Sequence, residues 1–284
     1  MPWRAQPARG SEAEQAREGG NLVNRRLISL LTDFGTRDAF VGIMKGVILS
    51  INPAACLVDL SHEVPAQDIR AGALILRIAA AFFPPGTIHV AVVDPGVGSA
   101  RRALLVETRN AVFIGPDNGL LSLAAPAEAV VRSLQLTNPE YWLAPRSHTF
   151  HGRDVFAPVA AHLSLGVAPE RFGPSVTTLE RVTLPVAERR GTGLTGSVIS
   201  IDHFGNLVTN ITEADLGPFS KERLLVSIEV VHIHGVVTSY AAVAVGAPAA
   251  LINSWGMLEI AVRNGSAAQQ FGVQPGHPVY LTTE

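Results

Sequence analysis

Two short segments carry residues whose types could do chemistry together. Phe150-His151-Gly152-Arg153-Asp154 holds an imidazole, a guanidinium and a carboxylate, and Asp94-Pro95-Gly96-Val97-Gly98-Ser99-Ala100-Arg101 holds a carboxylate and a guanidinium. Glycine and proline mark both as turns, and turns on a rigid scaffold bring polar groups close to a small ligand. Asp, Arg and His together can orient and polarise a water molecule without a metal. The combination points to an enzyme.

Three aspartates, Asp33, Asp59 and Asp94, each fall at or just after the end of an expected strand. In an open parallel sheet, ligands bind outside the carboxyl ends of the strands. Each acid also has a plain role available in capping or turn formation. Asp94 fits that role least, because Pro95-Gly96-Val97-Gly98 is not a helix start. Asp154 reads as an N-cap of the helix that follows it, with Arg153 as its partner, and His151 as a residue of a tight turn. His151, Asp154 and Asp94 form a conceivable metal set, but no HxxxH or CxxC pair accompanies them. Gly96-Val97-Gly98 lacks the third glycine and the following helix of a phosphate-binding loop.

The elements that must hold these residues change character along the chain. Leu27 to Leu31 reads as a strand, Phe40 to Ile51 as a helix stopped by Asn52-Pro53, and Cys56 to Leu60 as a second strand. A helix follows from Ile69 to Phe83, ended by Pro84-Pro85-Gly86. Ile88 to Val93 is β-branched and almost fully apolar, as a strand buried on both faces should be. Strands at Leu104 to Glu107 and Val112 to Gly115, and a helix from Asp154 to Leu165, complete an α/β pattern. It implies a mostly parallel sheet flanked by helices.

From Gly196 onward the pattern is short strands separated by turns: Ser197 to Ile201, Leu207 to Ile211, Leu224 to Val231, Ala250 to Ile252, Leu258 to Val262 and Val279 to Thr282. This predicts a smaller all-β domain of barrel or sandwich type. The expected organisation is a tail over 1–26, an α/β domain over 27–190 and a β-barrel-like domain over 191–284. Turns at Asp202-His203-Phe204-Gly205-Asn206, Asn253-Ser254-Trp255-Gly256 and Arg263-Asn264-Gly265-Ser266 are candidates for nucleobase recognition, since an asparagine amide can pair with adenine. Ordinary Asx-turn chemistry also accounts for them.

With 47% hydrophobic and 16% charged residues in 284, the chain is an apolar-rich globule. A net charge of -2 lacks the basic surface of a nucleic-acid binder. Lys45 and Lys221 are the only lysines. No stretch approaches a membrane span of about 20 apolar residues. Residues 1–26 have no apolar segment of a secretory signal, and Glu12, Glu14 and Glu18 argue against a transit peptide. They read as a disordered tail, and a cytoplasmic location is expected. The lone Cys56 is expected to be a buried small hydrophobe.

Taken in order, Thr32-Asp33-Phe34-Gly35, Asp94-Pro95-Gly96-Val97-Gly98, Gly115-Pro116-Asp117-Asn118-Gly119, Thr149-Phe150-His151-Gly152-Arg153-Asp154, Asp202-His203-Phe204-Gly205-Asn206 and Asn253-Ser254-Trp255-Gly256 resemble the S-adenosylmethionine hydroxide adenosyltransferases. These are adenosine-forming hydrolases related to the fluorinases and chlorinases. Each motif alone is weak, and their ordered occurrence from Leu27 to Thr283 is specific. The resemblance implies an Asp94, Arg101 and His151 catalytic set, with Arg101 rather than Arg102 chosen by its spacing of seven from the aspartate. The implied reaction is attack of water or hydroxide on the ribose C5′ of S-adenosyl-L-methionine, releasing adenosine and L-methionine with no cofactor or metal. A carboxylate paired with arginine is a poor base, and a histidine near neutrality is a better one on general grounds. Either Asp94 or His151 could therefore take the proton.

The same resemblance implies Asp33 on the ribose hydroxyls, and Asn206 with Asn264 and Gly265 on the adenine. It implies Asp38, Asp202 and Ser254 at the methionine end, and Tyr240 packed on the ligand; Arg263 joins this binding set. Family members are typically homotrimers, with the site between one subunit's first domain and a neighbour's second. In the halogenases an aromatic stands at Asp94 and at Gln67, a tyrosine at His151, a serine at Gly152 and an arginine at Trp255. The turn after Asp202 is also one residue shorter here than in the fluorinases. A carboxylate at position 94 would oppose halide binding by several kcal/mol where solvation is poor, about the size of a close like-charge pair. Halide transfer and plain nucleoside binding are the alternative readings.

Overall fold

The computed structural model describes residues 26–191, 193–217 and 219–283. The chain divides into two compact units, one ending at Val182 and the other starting at Thr183. The expected tail lies outside the described residues except for Arg26.

The first unit is built on six strands: β1 (Leu27–Thr32), β2 (Cys56–Ser61), β3 (Thr87–Val92), β4 (Ala103–Thr108), β5 (Ala111–Pro116) and β6 (Val130–Gln135). Their order is β2-β1-β3-β5-β4-β6. The β2, β1, β3 and β5 run is parallel, and β4 pairs antiparallel with both β5 and β6. Alternation along the strands sorts side chains to two faces. Ile28, Leu30, Ile88, Val90 and Ile114 pack with Met44 and Ile48 of α1 (Phe40–Ile51) and with α3 (Ala157–Ser164). Leu31, Ala91, Val93 and Phe113 pack with Ala73 and Leu76 of α2 (Ile69–Ala80). The result is the expected helix-covered sheet, and all six residues of β3 are buried.

In the second unit a largely antiparallel, barrel-like sheet carries β7 (Glu188–Arg190), β8 (Gly193–Ile201), β9 (Leu207–Thr212), β10 (Leu224–Ile228), β11 (Val231–His234), β12 (Pro248–Ile252), β13 (Met257–Val262) and β14 (Pro278–Thr283). Two short helices, α4 (Glu213–Leu216) and α5 (Ala267–Phe271), interrupt the strands. Residues 183–190 fall in this unit rather than the first, because β7 pairs with β8.

Several local expectations change. The expected strand from Leu224 to Val231 is a hairpin, turned at Glu229 with φ 49°. β6 has no counterpart among the expected strands. Cys56 is exposed rather than buried, because β2 is an edge strand. Asp154 does not cap a helix: it lies inside a π-helical turn, Gly152–Phe156, that runs into α3. His151 is the helical residue that precedes this turn, with φ -67° and ψ -20°, not part of a tight reverse turn.

Candidate active site

β1 and β3 are parallel neighbours with Thr32 opposite Val92, so Asp33 and Asp94 leave the sheet at the same carboxyl edge. Asn118 fastens that edge, its Nδ2 donating to the Val93 carbonyl at 2.8 Å. Asp94 then meets Arg101 in a two-pronged contact. Arg101 Nε donates to Asp94 Oδ1 at 2.9 Å, and Arg101 Nη2 is paired with Oδ2. The same Nη2 contacts His151 Nδ1 at 2.9 Å. All three side chains are largely buried, and the guanidinium also lies 5.4 Å from the Phe156 ring centroid.

A guanidinium has no acceptor, so His151 Nδ1 must accept. In the neutral imidazole the proton then sits on Nε2, a tautomer inferred from the partner. Neutrality is favoured, because burial and then the Arg101 and Arg146 charges pull the His151 pKa below its ordinary value, against the opposing pull of Asp94 and Asp154. His151 Nε2 is buried and without a hydrogen-bond partner. A buried, unpaired N–H is costly unless it serves something outside the fold.

Two supports hold His151 against Arg101. Gly98 has φ +79°, and a Cβ there would meet the His148 carbonyl oxygen at 2.3 Å, so only glycine lets these two loops touch. The buried Asp154 accepts from Ser147 N at 2.7 Å and from Arg153 Nε at 2.6 Å, anchoring the segment that leads into His151. Burial opposes the charge on Asp154, but the bonds from Arg153 and Ser147 win and hold its carboxyl below the usual range. Phe150 packs edge-on against Phe34 and Phe40, at 5.8 and 5.2 Å between centroids. That cluster ties the Asp33 loop to the His151 segment.

Arg102 takes no part in this cluster. Its Nε donates to Asp117 Oδ2 at 2.7 Å and its Nη2 to the Thr178 carbonyl at 2.7 Å. Asp33 is half-buried and accepts from Gln67 N at 2.8 Å, and Asp38 is exposed. Asp59 sits within β2, paired with Lys45 Nζ at 2.6 Å and His62 Nε2 at 2.9 Å, away from the set around Arg101. Among the described residues, no group of three His, Cys, Asp or Glu side chains could hold a metal ion.

The second unit has a cavity of about 730 Å³ lined by Asp202, Asn206, Tyr240, Arg263, Asn264 and Gly265, together with neighbouring apolar groups. Asp202 Oδ1 accepts from Phe204 N and Asn206 N, and its Oδ2 from Asn206 Nδ2 at 2.9 Å. The carboxylate thereby fixes the amide's orientation, with Nδ2 turned toward Asp202 and Oδ1 left as an acceptor. Arg263 Nη1 donates to the Val243 carbonyl at 2.7 Å, and Asn264 has a left-handed φ of 57°. Ser254 does not line the cavity; it lies on an exposed turn held by Asn253 Oδ1, which accepts from Trp255 N and Met257 N.

Residues 28–173 match the model of the SAM hydroxide adenosyltransferase N-terminal domain, and residues 196–280 match that of the C-terminal domain. The chain belongs to the SAM hydroxide adenosyltransferase family. A relative named (R)-S-adenosyl-L-methionine hydrolase, from Thermus thermophilus, is 40% identical over 90% of this chain and 99% of its own. The crystal structure of an uncharacterized conserved protein from Thermotoga maritima superposes with a TM-score of 0.85 at 34% identity, covering 90% of this chain and 99% of that one. A fluorinase from an Actinoplanes species is 28% identical over 90% of this chain and 97% of its own.

In this adenosyltransferase-family chain, three polar side chains matter in ways that sequence reasoning misses. Asp154 reads as a cap, yet it is wholly buried beneath the His151 segment. Asp117, in the Gly115–Gly119 motif, accepts from Arg102 and from Glu180 N at 2.8 Å. Glu259 is buried in β13 and accepts from the Tyr240 hydroxyl at 2.6 Å. Its signal is present in the sequence: one acid in the otherwise apolar run Met257–Val262.

Proposed function

We propose that this chain hydrolyses S-adenosyl-L-methionine to adenosine and L-methionine, with Asp94, Arg101 and His151 handling the attacking water. The contact of one guanidinium with both the Asp94 carboxylate and His151 Nδ1 carries the reading. The family membership and the named hydrolase relatives support it.

Water oxygen bonds to C5′ as the C5′–S bond breaks. The sulfonium leaves as a neutral thioether, so no general acid is needed, and alignment alone can supply about 7–11 kcal/mol. A neutral water that has begun to bond carbon becomes strongly acidic, so a weak base suffices to take its proton. Asp94 retains free lone pairs beside those facing Arg101 and is that acceptor. His151, whose Nδ1 faces the guanidinium, acts as an Nε2–H donor that orients the oxygen. The proton then passes to solvent.

The Asp94 carboxylate disfavours halide as the nucleophile, since anion beside anion is repulsive in a poorly solvated site. We propose further that no metal or organic cofactor takes part and that the protein acts in the cytoplasm. In our reading it is a homotrimer, with one subunit's first unit and a neighbour's second unit sharing the substrate. Support for that assembly comes from the family resemblance. Incubating the protein with S-adenosyl-L-methionine and a chelator should yield adenosine and methionine in equal amounts, and Asp94→Ala or His151→Ala should largely abolish it. Adenosine no faster than the uncatalysed background defeats the proposal.

A further inference from the structure

β13 is buried throughout, and five of its six residues are apolar. Glu259, 3% exposed, breaks that run. An ionisable side chain there costs more than a leucine would unless its oxygens are engaged. Both are. Oε1 accepts from the Tyr240 hydroxyl at 2.6 Å, and Oε2 accepts from Asn253 Nδ2 at 3.2 Å. Tyr240 lines the cavity, and Asn253 holds the turn that carries Ser254 and Trp255. The acid therefore joins two loops that are separated in sequence, from beneath.

We infer that Glu259 is a positioning residue of the second-unit cavity, clamping the Tyr240 phenol and the Asn253 turn so that the cavity is preformed for a purine nucleoside. The class of ligand rests on the function proposed above; the clamp itself rests on the two hydrogen bonds. Tyr240 is the donor in its bond, and its proton is firmly held: burial first, then Glu259 and Asp202, raise the phenol pKa above its ordinary value. A phenol fixed in this way presents its ring at a set angle to the cavity. Released, it would have to be ordered on binding, which weakens affinity and leaves the chemical step alone.

Glu259→Gln keeps the shape but presents one acceptor and one donor where two donors need acceptors, so one of the two bonds is lost or reversed. Tyr240→Phe removes the same bond from a partly exposed partner and should not threaten folding. Each variant should raise KM and the calorimetric Kd for adenosine about tenfold, with kcat nearly unchanged, as for loss of a hydrogen bond to a charged group. The double variant should be no worse than Tyr240→Phe alone, because with the phenol gone the single glutamine oxygen is free to accept from Asn253 Nδ2. If wild-type protein turns over substrate and both variants match its KM and Kd, the clamp has no positioning role. Variants that lower thermal stability while leaving both constants in place also overturn it, since the bonds would then serve the fold alone. If wild-type protein binds adenosine without turnover and the variants bind it more weakly, the clamp stands and the hydrolase reading fails. Wild-type protein that binds no adenosine overturns the assignment of the cavity.

Discussion

Arg101 Nη2 donates to His151 Nδ1 at 2.9 Å, and that one contact decides what the imidazole can do. With Nδ1 occupied, the neutral ring has a proton on Nε2 and acts as a donor. In the mechanism we propose, Asp94, paired to the same guanidinium, is then the acceptor.

The activity should need arginine geometry as well as positive charge at position 101. Lysine cannot span both Asp94 oxygens and reach Nδ1. Arg101→Lys should lower kcat about a hundredfold or more, on the scale of losing one preorganised donor. Arg102→Ala should instead lower thermal stability, through its lost bonds to Asp117 and Thr178, and retain much more activity. A pH-controlled assay of adenosine release on both variants checks the pair, and equal losses of kcat would contradict the assignment.

The pH profile follows from the direction of the His151 shift. Its pKa lies below the usual 6.5, so the ring stays neutral to lower pH and protonates only beneath that value. Protonation puts a hydrogen on Nδ1 facing the guanidinium and breaks the contact. The acid limb of kcat/KM should therefore lie below about 6.5. A limb at or above that value, lost in a variant of His151, would show that the ring works in another state.

Gly98→Ala tests how the two loops meet. The substitution meets both an unfavourable φ of +79° and a contact of 2.3 Å with the His148 oxygen. It should cost about 2 kcal/mol or more of stability and most of the activity. Chemical denaturation alongside an activity assay reads both. Unchanged activity would mean the loop pair does not set the position of His151.

Acid stability has a separate source in β3. His89 is 1% exposed, and burial pulls its pKa from 6.5 to about 4. The unfolded chain binds this proton more readily, so the contribution of neutral His89 is complete above about 6.5 and is lost as pH falls to about 4. It amounts to about 3 kcal/mol. Denaturation midpoints measured across that window should fall steadily, and His89→Gln should flatten the fall. An unflattened curve assigns the acid sensitivity elsewhere.

How much is legible in the sequence varies with local chemistry. The almost fully apolar run before Asp94, interrupted only by His89, places β3 and its acid correctly, because a strand buried on both faces shows a near-continuous apolar pattern. β6 is hidden because Arg132, Ser133 and Gln135 break its alternation, as a sheet-edge strand permits. The β10–β11 hairpin turns at Glu229-Val230, which contains none of the usual turn residues. Asp154 looks like a cap because an acid before an apolar helix usually is one; the π-helical turn that draws it inside has no comparable signature. The tie between Asp94, Arg101 and His151 comes from family resemblance, since Arg101 and His151 stand 50 positions apart and are brought together only by tertiary packing.

The central claim is that water, and no other nucleophile, attacks C5′ while the thioether departs. Turnover in oxygen-18-labelled water, with chloride present, tests it most directly by mass spectrometry of the nucleoside. Attack by water should give adenosine carrying the heavy oxygen in its 5′ hydroxyl and an unlabelled methionine. Unlabelled adenosine, or a 5′-halogenated nucleoside in its place, would contradict it.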